Sequence, residues 1–281
     1  MRPRPATGRR LANGLVSVLA TLSAVLGMVI LAWIIFVVAD RGLGAFNLDF
    51  FTQLPTPPGM EGGGLANAII GTLVMTILAT LLAVPLGLLA GVYLAEFGQG
   101  SRLADNTRFS ANVLIGMPSI IIGIFAYALV VVPLGRFSGY AGIVALAIIM
   151  LPIAARATED MLRLVPNTLR EAGLALGLPR WRITIAIVFR AAKAGLITGI
   201  LLAVARVSGE TAPLLFTALN SPYMMNSLGQ PTPNLTVTIF DYAMSPYPDW
   251  QQKAWGASLL ITAGVLALTL LTRYTLRERK T

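Results

Sequence analysis

The chain has 281 residues, 56% of them hydrophobic and 12% charged, with a mean hydropathy of +0.76, whereas a soluble domain carries about 25% charged residues. Its formal net charge of +9 would suit a phosphate-backbone binder, but the basic residues lie between apolar runs and at the termini, where the positive-inside rule puts them, so nucleic-acid binding is set aside. With no cysteine and no histidine there is no disulfide framework, no thiolate metal site and no imidazole to move protons near neutral pH.

Residues 1–10 carry Arg2, Arg4, Arg9 and Arg10 and precede an apolar stretch, 11–39. That stretch exceeds the about 7–15 residues of a signal-peptide core, which predicts a first membrane helix kept in the mature protein. Residues 40–64, with Pro55, Pro57, Pro58 and three glycines from Gly62, read as a loop. A second span is predicted from Leu65 to Ala95, kinked at Pro85. After a polar turn from Glu96 to Arg108, a third span covers Phe109 to Leu134, with Pro118 and Ser119 inside it, and a short fourth runs from Tyr140 to Ala155. The basic segment 156–193 mixes seven Lys and Arg with Glu159, Asp160 and Glu171 and cannot lie in lipid. A fifth span over Ala194–Leu219, a proline-rich loop over 220–253, a sixth span over Ala254–Tyr274 and a basic tail, 275–281, complete the chain. The predicted class is all-α: a polytopic transmembrane helical bundle of about six spans, with residues 65–274 as the core.

An even number of spans puts both termini on one side. The N-terminus, the turn at Arg102 and Arg108, the segment 156–193 and the C-terminal end from Arg273 onward hold seventeen of the 21 Lys and Arg, so that side is predicted to be cytoplasmic. Tyr242, Tyr247, Trp250 and Trp255 then fall at the outer interface, as membrane anchors or as a recognition surface.

Within the basic segment, Thr168-Leu169-Arg170-Glu171 fits a capping box, and Gly177 followed by Leu178-Pro179 supplies a left-handed residue and a breaker, so a helix of about two turns is predicted. Leu169, Ala172 and Leu176 make an apolar stripe, and Ala172 and Gly173 are small enough to let a partner approach. On spacing alone the segment is either a docking helix or a solvated turn whose arginines set topology.

The run Glu171-Ala172-Gly173, three residues, Gly177, nine residues, Ile187 resembles the EAA loop of ABC importer permeases, departing from it at Gly173 and at Phe189-Arg190. Arg206 to Ala218 (RVSGETAPLLFTA), Thr238 to Pro246 (TIFDYAMSP), Tyr93 to Glu96 and Pro118 to Gly123 resemble segments of the A-type permeases of phosphate-specific ABC importers, so the likeness runs from Leu65 to Trp255. The resemblance implies a type I ABC importer permease fold in the bacterial inner membrane, paired with a homologous second permease, two copies of an ATP-binding cassette ATPase and an external phosphate-binding protein. It implies that Thr168, Arg170, Glu171, Ala172, Gly173 and Gly177 belong to the ATPase-docking element, and that inorganic phosphate is the substrate. The chain has no G-x-x-x-x-G-K-[ST] loop, so ATP and Mg are expected on the ATPase, with no cofactor bound here and no enzyme activity of its own.

Arg206 is the one basic residue inside the fifth span, and an arginine at the centre of a bilayer costs about 2.5–3.5 kcal/mol on insertion scales unless it faces a bundle interior or a watery cavity. Glu210, four residues on, shares its helix face. Either the guanidinium presents paired N–H donors to a crossing oxyanion while Glu210 holds it in place, or the two are a structural ion pair. Ser208 and Thr211 are candidate hydroxyl donors on the same pathway, and Pro118 and Ser119 are further pathway candidates or a packing kink. A permease for another small anion, a proton-coupled secondary transporter and a membrane-embedded enzyme are the rival functions. The second has only Arg206–Glu210 to carry protons, and the third lacks clustered acids, a metal motif or a nucleophile with its base.

Overall fold

A computed structural model describes residues 6–275, which form helices joined by turns, with no strand among them beyond one isolated bridge between Pro55 and Gly63. In chain order the helices are α1 (Ala6–Leu43), α2 (Leu48–Thr52), α3 (Ala66–Phe97), α4 (Arg102–Gly116), α5 (Ser119–Leu134), α6 (Gly139–Arg163), α7 (Asn167–Ala175), α8 (Arg180–Ser208), α9 (Ala212–Leu215), α10 (Leu235–Ala243) and α11 (Pro248–Thr275). Five of them, α1, α3, α6, α8 and α11, are long and apolar enough to cross a bilayer, and α4 with α5 meets the same length and hydropathy only as a pair, bent by 105° at the break between them. The expected all-α bundle of about six spans is the observed architecture. Arg2, Arg4, Arg277, Arg279 and Lys280 of the expected basic ends lie outside the described residues.

Three expectations need correction. The third span is not one kinked helix, because Met117 is extended (φ −76°, ψ 136°) and α4 stops there. The Cδ of Pro118 disfavours the helical region for the residue before it, so α5 starts afresh at Ser119. The fifth span ends at Ser208 rather than Leu219: Gly209 closes α8, and Pro213 sits in the first turn of the short α9. The loop 220–253 contains a helix, α10, whose N-cap Asn234 accepts a hydrogen bond from the Val237 N–H at 2.9 Å. Pro85 and Pro152, by contrast, stay inside α3 and α6 without ending them.

The centre of the bundle is α6, two-thirds of whose span is buried. Gly71, Met75, Ala79, Ala83, Gly87 and Gly91 recur every fourth residue on α3 and are all buried, forming the small-residue stripe that lets helix backbones approach closely in a membrane. A Cβ on Gly87 would lie 2.7 Å from Ala154 Cβ, one on Gly91 would lie 2.5 Å from Thr158 Cβ, and one on Gly142 would meet Met75 Sδ at 3.1 Å. These pairs keep a constant offset, so α3 and α6 run parallel. On the other side of α6, Gly195 of α8 packs on Met161 and Gly199 on Ala157, an antiparallel register. Helix α1 stands off this core and touches α11 near Gly42, which faces Leu259, while Arg41 lies 5.2 Å over the Trp255 ring.

Candidate functional site

The register of α6 and α8 sets the depth of Arg206. Four residues forward on α8 match four back on α6, so Arg206 stands level with Met150, roughly 17 Å along α6 from Gly139 at 1.5 Å per residue. That is about half-way along the helix. Arg206 therefore lies at mid-bundle depth, as expected, but in the last turn of α8 rather than in a helix interior. A cation suits that position, because the unpaired carbonyls of a helix C-terminus carry partial negative charge. Its Nε is 3.9 Å from Glu210 Oε1, a long contact. The arginine side chain is 54% exposed and that of Glu210 only 14%, so the guanidinium faces outward from the chain while the carboxylate backs it.

The backbone around Glu210 is held by groups that the sequence reading did not single out. Thr236 Oγ1 shares its proton between the Glu210 carbonyl at 2.9 Å and Asn234 Oδ1 at 3.1 Å, and the buried Asn234 donates to the Leu219 carbonyl. Leu219 needs that support, since its φ of +57° lies in the left-handed region. Thr72 of α3 accepts from the Leu235 N–H at 2.8 Å, and the Ser138 N–H donates to the Thr217 carbonyl. An asparagine followed by an apolar run was the available signal for the cap at Asn234. Of the candidate hydroxyls, Ser208 is turned back to the Ala205 carbonyl at 2.9 Å, and Thr211 is half-buried at the start of α9. Helix α5, which begins at Ser119, packs on α9, since a Cβ on Gly123 would lie 2.7 Å from Pro213 Cα. The structure thus brings the Pro118–Ser119 helix against the segment that follows Glu210, with Pro118 itself exposed.

At the end of the bundle where α3 and α6 finish, Glu159 of α6 is fully buried and pairs with three arginines: it accepts from Arg108 Nε at 2.7 Å and Arg156 Nη1 at 3.3 Å, and lies 2.8 Å from Arg163 Nη2. Arg108 also donates to Asp105 and to the Leu94 carbonyl, joining α4 to α3 and α6.

Helix α7 follows, but its start differs from the expected capping box: Pro166 is the N-cap, Asn167 the first helical residue, and no side chain caps it. Thr168 is therefore inside the first turn, and Thr168 and Glu171 are both exposed. Pro166 sets this start because its fixed φ, −58° here, and extended ψ lead directly into the helix. The end is as expected. Gly177 has φ +74°, its N–H donates to the Leu174 carbonyl, and the Leu178 N–H donates to that of Gly173, a Schellman motif. Ala172, Leu169 and Leu176 face outward, with Leu176 80% exposed. Gly173 does not share that face. It is buried against Ile183 and Ile187, and a Cβ there would lie 2.9 Å from Ile183 Cγ1, so its smallness seats α7 on α8. Arg170 also points inward, onto Glu96 and two backbone carbonyls.

At the opposite end, a cleft of about 620 Å³ opens between the residues near Pro57, Asn220, Asp241 and Trp250. Tyr242 stacks on Trp250 with ring centroids 4.2 Å apart, so part of the expected aromatic belt packs on itself. Burial, then Asp249 and Asp241, push the Tyr242 phenol up to about 12. Lys253 is buried and donates to Asp249 Oδ2 at 2.6 Å and to the Gly62 carbonyl, which ties the glycine loop to α11.

Residues 83–277 match the family described as binding-protein-dependent transport system inner membrane component. The phosphate transport system permease protein PstA of Yersinia pestis is 47% identical over 272 residues, covering 97% of this chain and 92% of that protein. PstA of Haemophilus influenzae is also 47% identical, with 97% and 96% covered, and PstA 1 of Mycobacterium tuberculosis is 37% identical, with 95% and 88% covered. Among solved structures, a chain of a bacterial ABC transporter involved in the import of the acidic polysaccharide alginate superposes with a TM-score of 0.64 at 11% identity, over 97% of this chain and all of that one. The inward-facing MetNI methionine ABC transporter gives 0.62 at 20% identity, over 76% and 94%. At these identities the structural likeness concerns the fold.

Proposed function

The chain belongs to the family of binding-protein-dependent transport system inner membrane components, and from that premise we propose that it is the A-type permease subunit of an ATP-driven importer of inorganic phosphate. The PstA relatives, matched over nearly the whole chain, support the substrate. The observation that carries the mechanism is Arg206, a guanidinium at mid-bundle depth that faces outward from the chain. A charge there requires water or a partner, because lipid would penalise it heavily. A second, homologous permease facing this surface would enclose the guanidinium in an aqueous path.

In that path Arg206 offers parallel N–H donors to two phosphate oxygens, a geometry a lysine does not reproduce. Glu210 behind it weakens the attraction for the anion, so that phosphate is held on passing and then released. The break after α8 at Gly209 and the short α9 supply irregular backbone beside the guanidinium, of the kind that membrane depth tolerates where it is buried in protein or faces a watery path. Ser208, Thr211, Pro118 and Ser119 lie on the elements around the break.

At the basic end, which the charge asymmetry assigns to the cytoplasm together with both termini, the outward face of α7 with Leu169, Ala172 and Leu176 docks on an ATPase that holds ATP and Mg. Two ATPase copies and an external phosphate-binding protein complete the importer.

The test is phosphate-stimulated ATP hydrolysis and phosphate uptake in proteoliposomes holding this chain with its partners, comparing the parent with Arg206→Gln. Uptake in the variant is expected to fall by about two orders of magnitude, the loss of one charge-assisted pair of hydrogen bonds, with the complex still assembled. Normal uptake in Arg206→Gln would return the pair to a structural role. Stimulation by another solute but not by phosphate would change the substrate and leave the permease.

A further inference from the structure

Glu96 ends α3 and takes no part in the pathway described above, yet it accounts for much of the bonding of Arg170. Arg170 Nη2 lies 2.6 Å from Glu96 Oε1, and its Nε lies 3.1 and 3.2 Å from the two carboxylate oxygens. The same guanidinium donates from Nη2 to the Leu162 carbonyl at 2.7 Å and from Nη1 to the Val165 carbonyl at 2.6 Å. One side chain of α7 is therefore fastened to the end of α3 and to the end of α6 together. The pair is sheltered, with the arginine side chain 19% exposed and the glutamate 10%, so water screens it less than a surface ion pair.

Around this pair the packing is open. A cleft of about 300 Å³, bordered by Gln99, Glu171, Leu174 and Arg180, lies between α7 and the end of α3. Among the described residues, no other side chain hydrogen-bonds α7 to α3. A push on α7 reaches α3 directly through Glu96, and otherwise only by way of α6 and α8, on whose Leu162, Val165 and Ile183 the end of α3 also packs. Beyond it, α3 and α6 are packed backbone to backbone at Gly87 and Gly91, closely enough to act as one body. At the far end of α3, Thr72 holds the first N–H of α10, and Thr236 of α10 holds the Glu210 carbonyl. Contacts thus run without a gap from α7 to the break beside Arg206.

We infer that Glu96 and Arg170 are a positioning pair that carries displacement of α7 into the α3–α6 body, and so into the opening at Arg206 and Glu210. This rests on the reading of α7 as the ATPase-docking helix. Coupling of this kind needs an element that moves as a unit between two arrangements, and the α3–α6 body has the packing for it.

Three quantities separate the possibilities in proteoliposomes of the whole complex supplied with ATP and phosphate-loaded binding protein: ATPase retained on purification, ATP hydrolysed, and phosphate imported. In Glu96→Gln the ATPase stays bound and hydrolysis continues, while phosphate imported per ATP falls about tenfold, within the span of ordinary coupling free energies. Glu96→Asp, which keeps a carboxylate facing Arg170, holds more of that ratio than Glu96→Gln. Unchanged import per ATP in Glu96→Gln overturns the inference, and so does loss of the ATPase, which would make the pair a mere support of the docking face. Leu176→Asp, on the outer face of α7, is the separate control: it is expected to lose the ATPase, and if the ATPase remains, the docking reading itself falls whatever Glu96 does.

Discussion

Arg206, Arg170 and Arg108 sit in three different settings, and only that of Arg206 was legible in the sequence. Arg206 stood out because it interrupts an uncharged run, and its partner lies within one helical turn, so local spacing was enough to pair it with Glu210. The partner of Arg170 is 74 positions away and that of Arg108 is 51 away, so both pairings are products of helix packing that spacing cannot anticipate. The inward turn of Arg170 and Gly173 was missed for the same reason, since a short amphipathic helix flanked by loops does not declare which of its small or charged residues seat it. At the buried Glu159 the consequence is energetic. Glu159→Gln leaves Arg108, whose side chain is 18% exposed, with only the exposed Asp105 as a carboxylate partner. Breaking a buried ion pair costs about 3–5 kcal/mol, reduced here to about 2–3 because Arg156 and Arg163 keep contact with water. A drop in the thermal unfolding midpoint of the detergent-solubilised permease is the expected reading, with Arg156→Gln changing it far less.

At the scale of elements, termini set by backbone chemistry were readable and packing faces were not. Gly177 was assigned a left-handed stop and has one, because only glycine takes that conformation without strain. The capping box failed one step earlier, since Pro166 begins α7 two residues before Thr168 and leaves the threonine nothing to cap. Pro118 was read as a kink and is a break, since it forces Met117 out of the helical region, whereas Pro85 and Pro152 are absorbed by the helices around them. The small-residue stripe of α3 was present as a four-residue repeat from Gly71 to Gly91, but hydropathy hides it, because glycine and alanine add little to a span's mean. Its test is volumetric. A valine at Gly91 places its Cβ 2.5 Å from Thr158 Cβ and 2.6 Å from the Ala155 carbonyl oxygen, an overpacking worth about 1–3 kcal/mol or more. Gly91→Val is expected to reduce the yield of folded permease, while Gly27→Ala in α1, where a Cβ meets nothing within 4 Å, leaves it unchanged. Equal yields would mean that the α3–α6 contact is not close enough to behave as one body.

For the whole molecule, the packing settles what hydropathy left open about the number of crossings. Helices α3 and α6 run parallel, so the chain leaves α3 at one end of the bundle and must enter α6 at the other. The segment between them, α4 and α5, therefore makes the return passage despite its 105° bend. Taken with α1, α3, α6, α8 and α11 this gives six crossings, and six crossings put both ends of the chain on one side. Charge is what chooses the side in the proposed topology: the positive-inside rule would put the cluster of arginines around Glu159 and the turn before α8 in the cytoplasm. Because the chain has no cysteine, this can be read residue by residue with single cysteines and a thiol reagent that does not cross membranes. Glu61→Cys, in the exposed loop before α3, is expected to react in intact cells. Leu176→Cys on α7 and Asn106→Cys on α4, both exposed in the isolated chain, should react only after the membrane is opened, and the ATPase should shield Leu176→Cys but not Asn106→Cys. Labelling of Asn106→Cys from outside would put α4 at the wrong end, reduce the crossings to five and separate the termini, which the charge distribution opposes. Shielding confined to Leu176→Cys would at the same time identify the outward face of α7 as the surface that the ATPase covers.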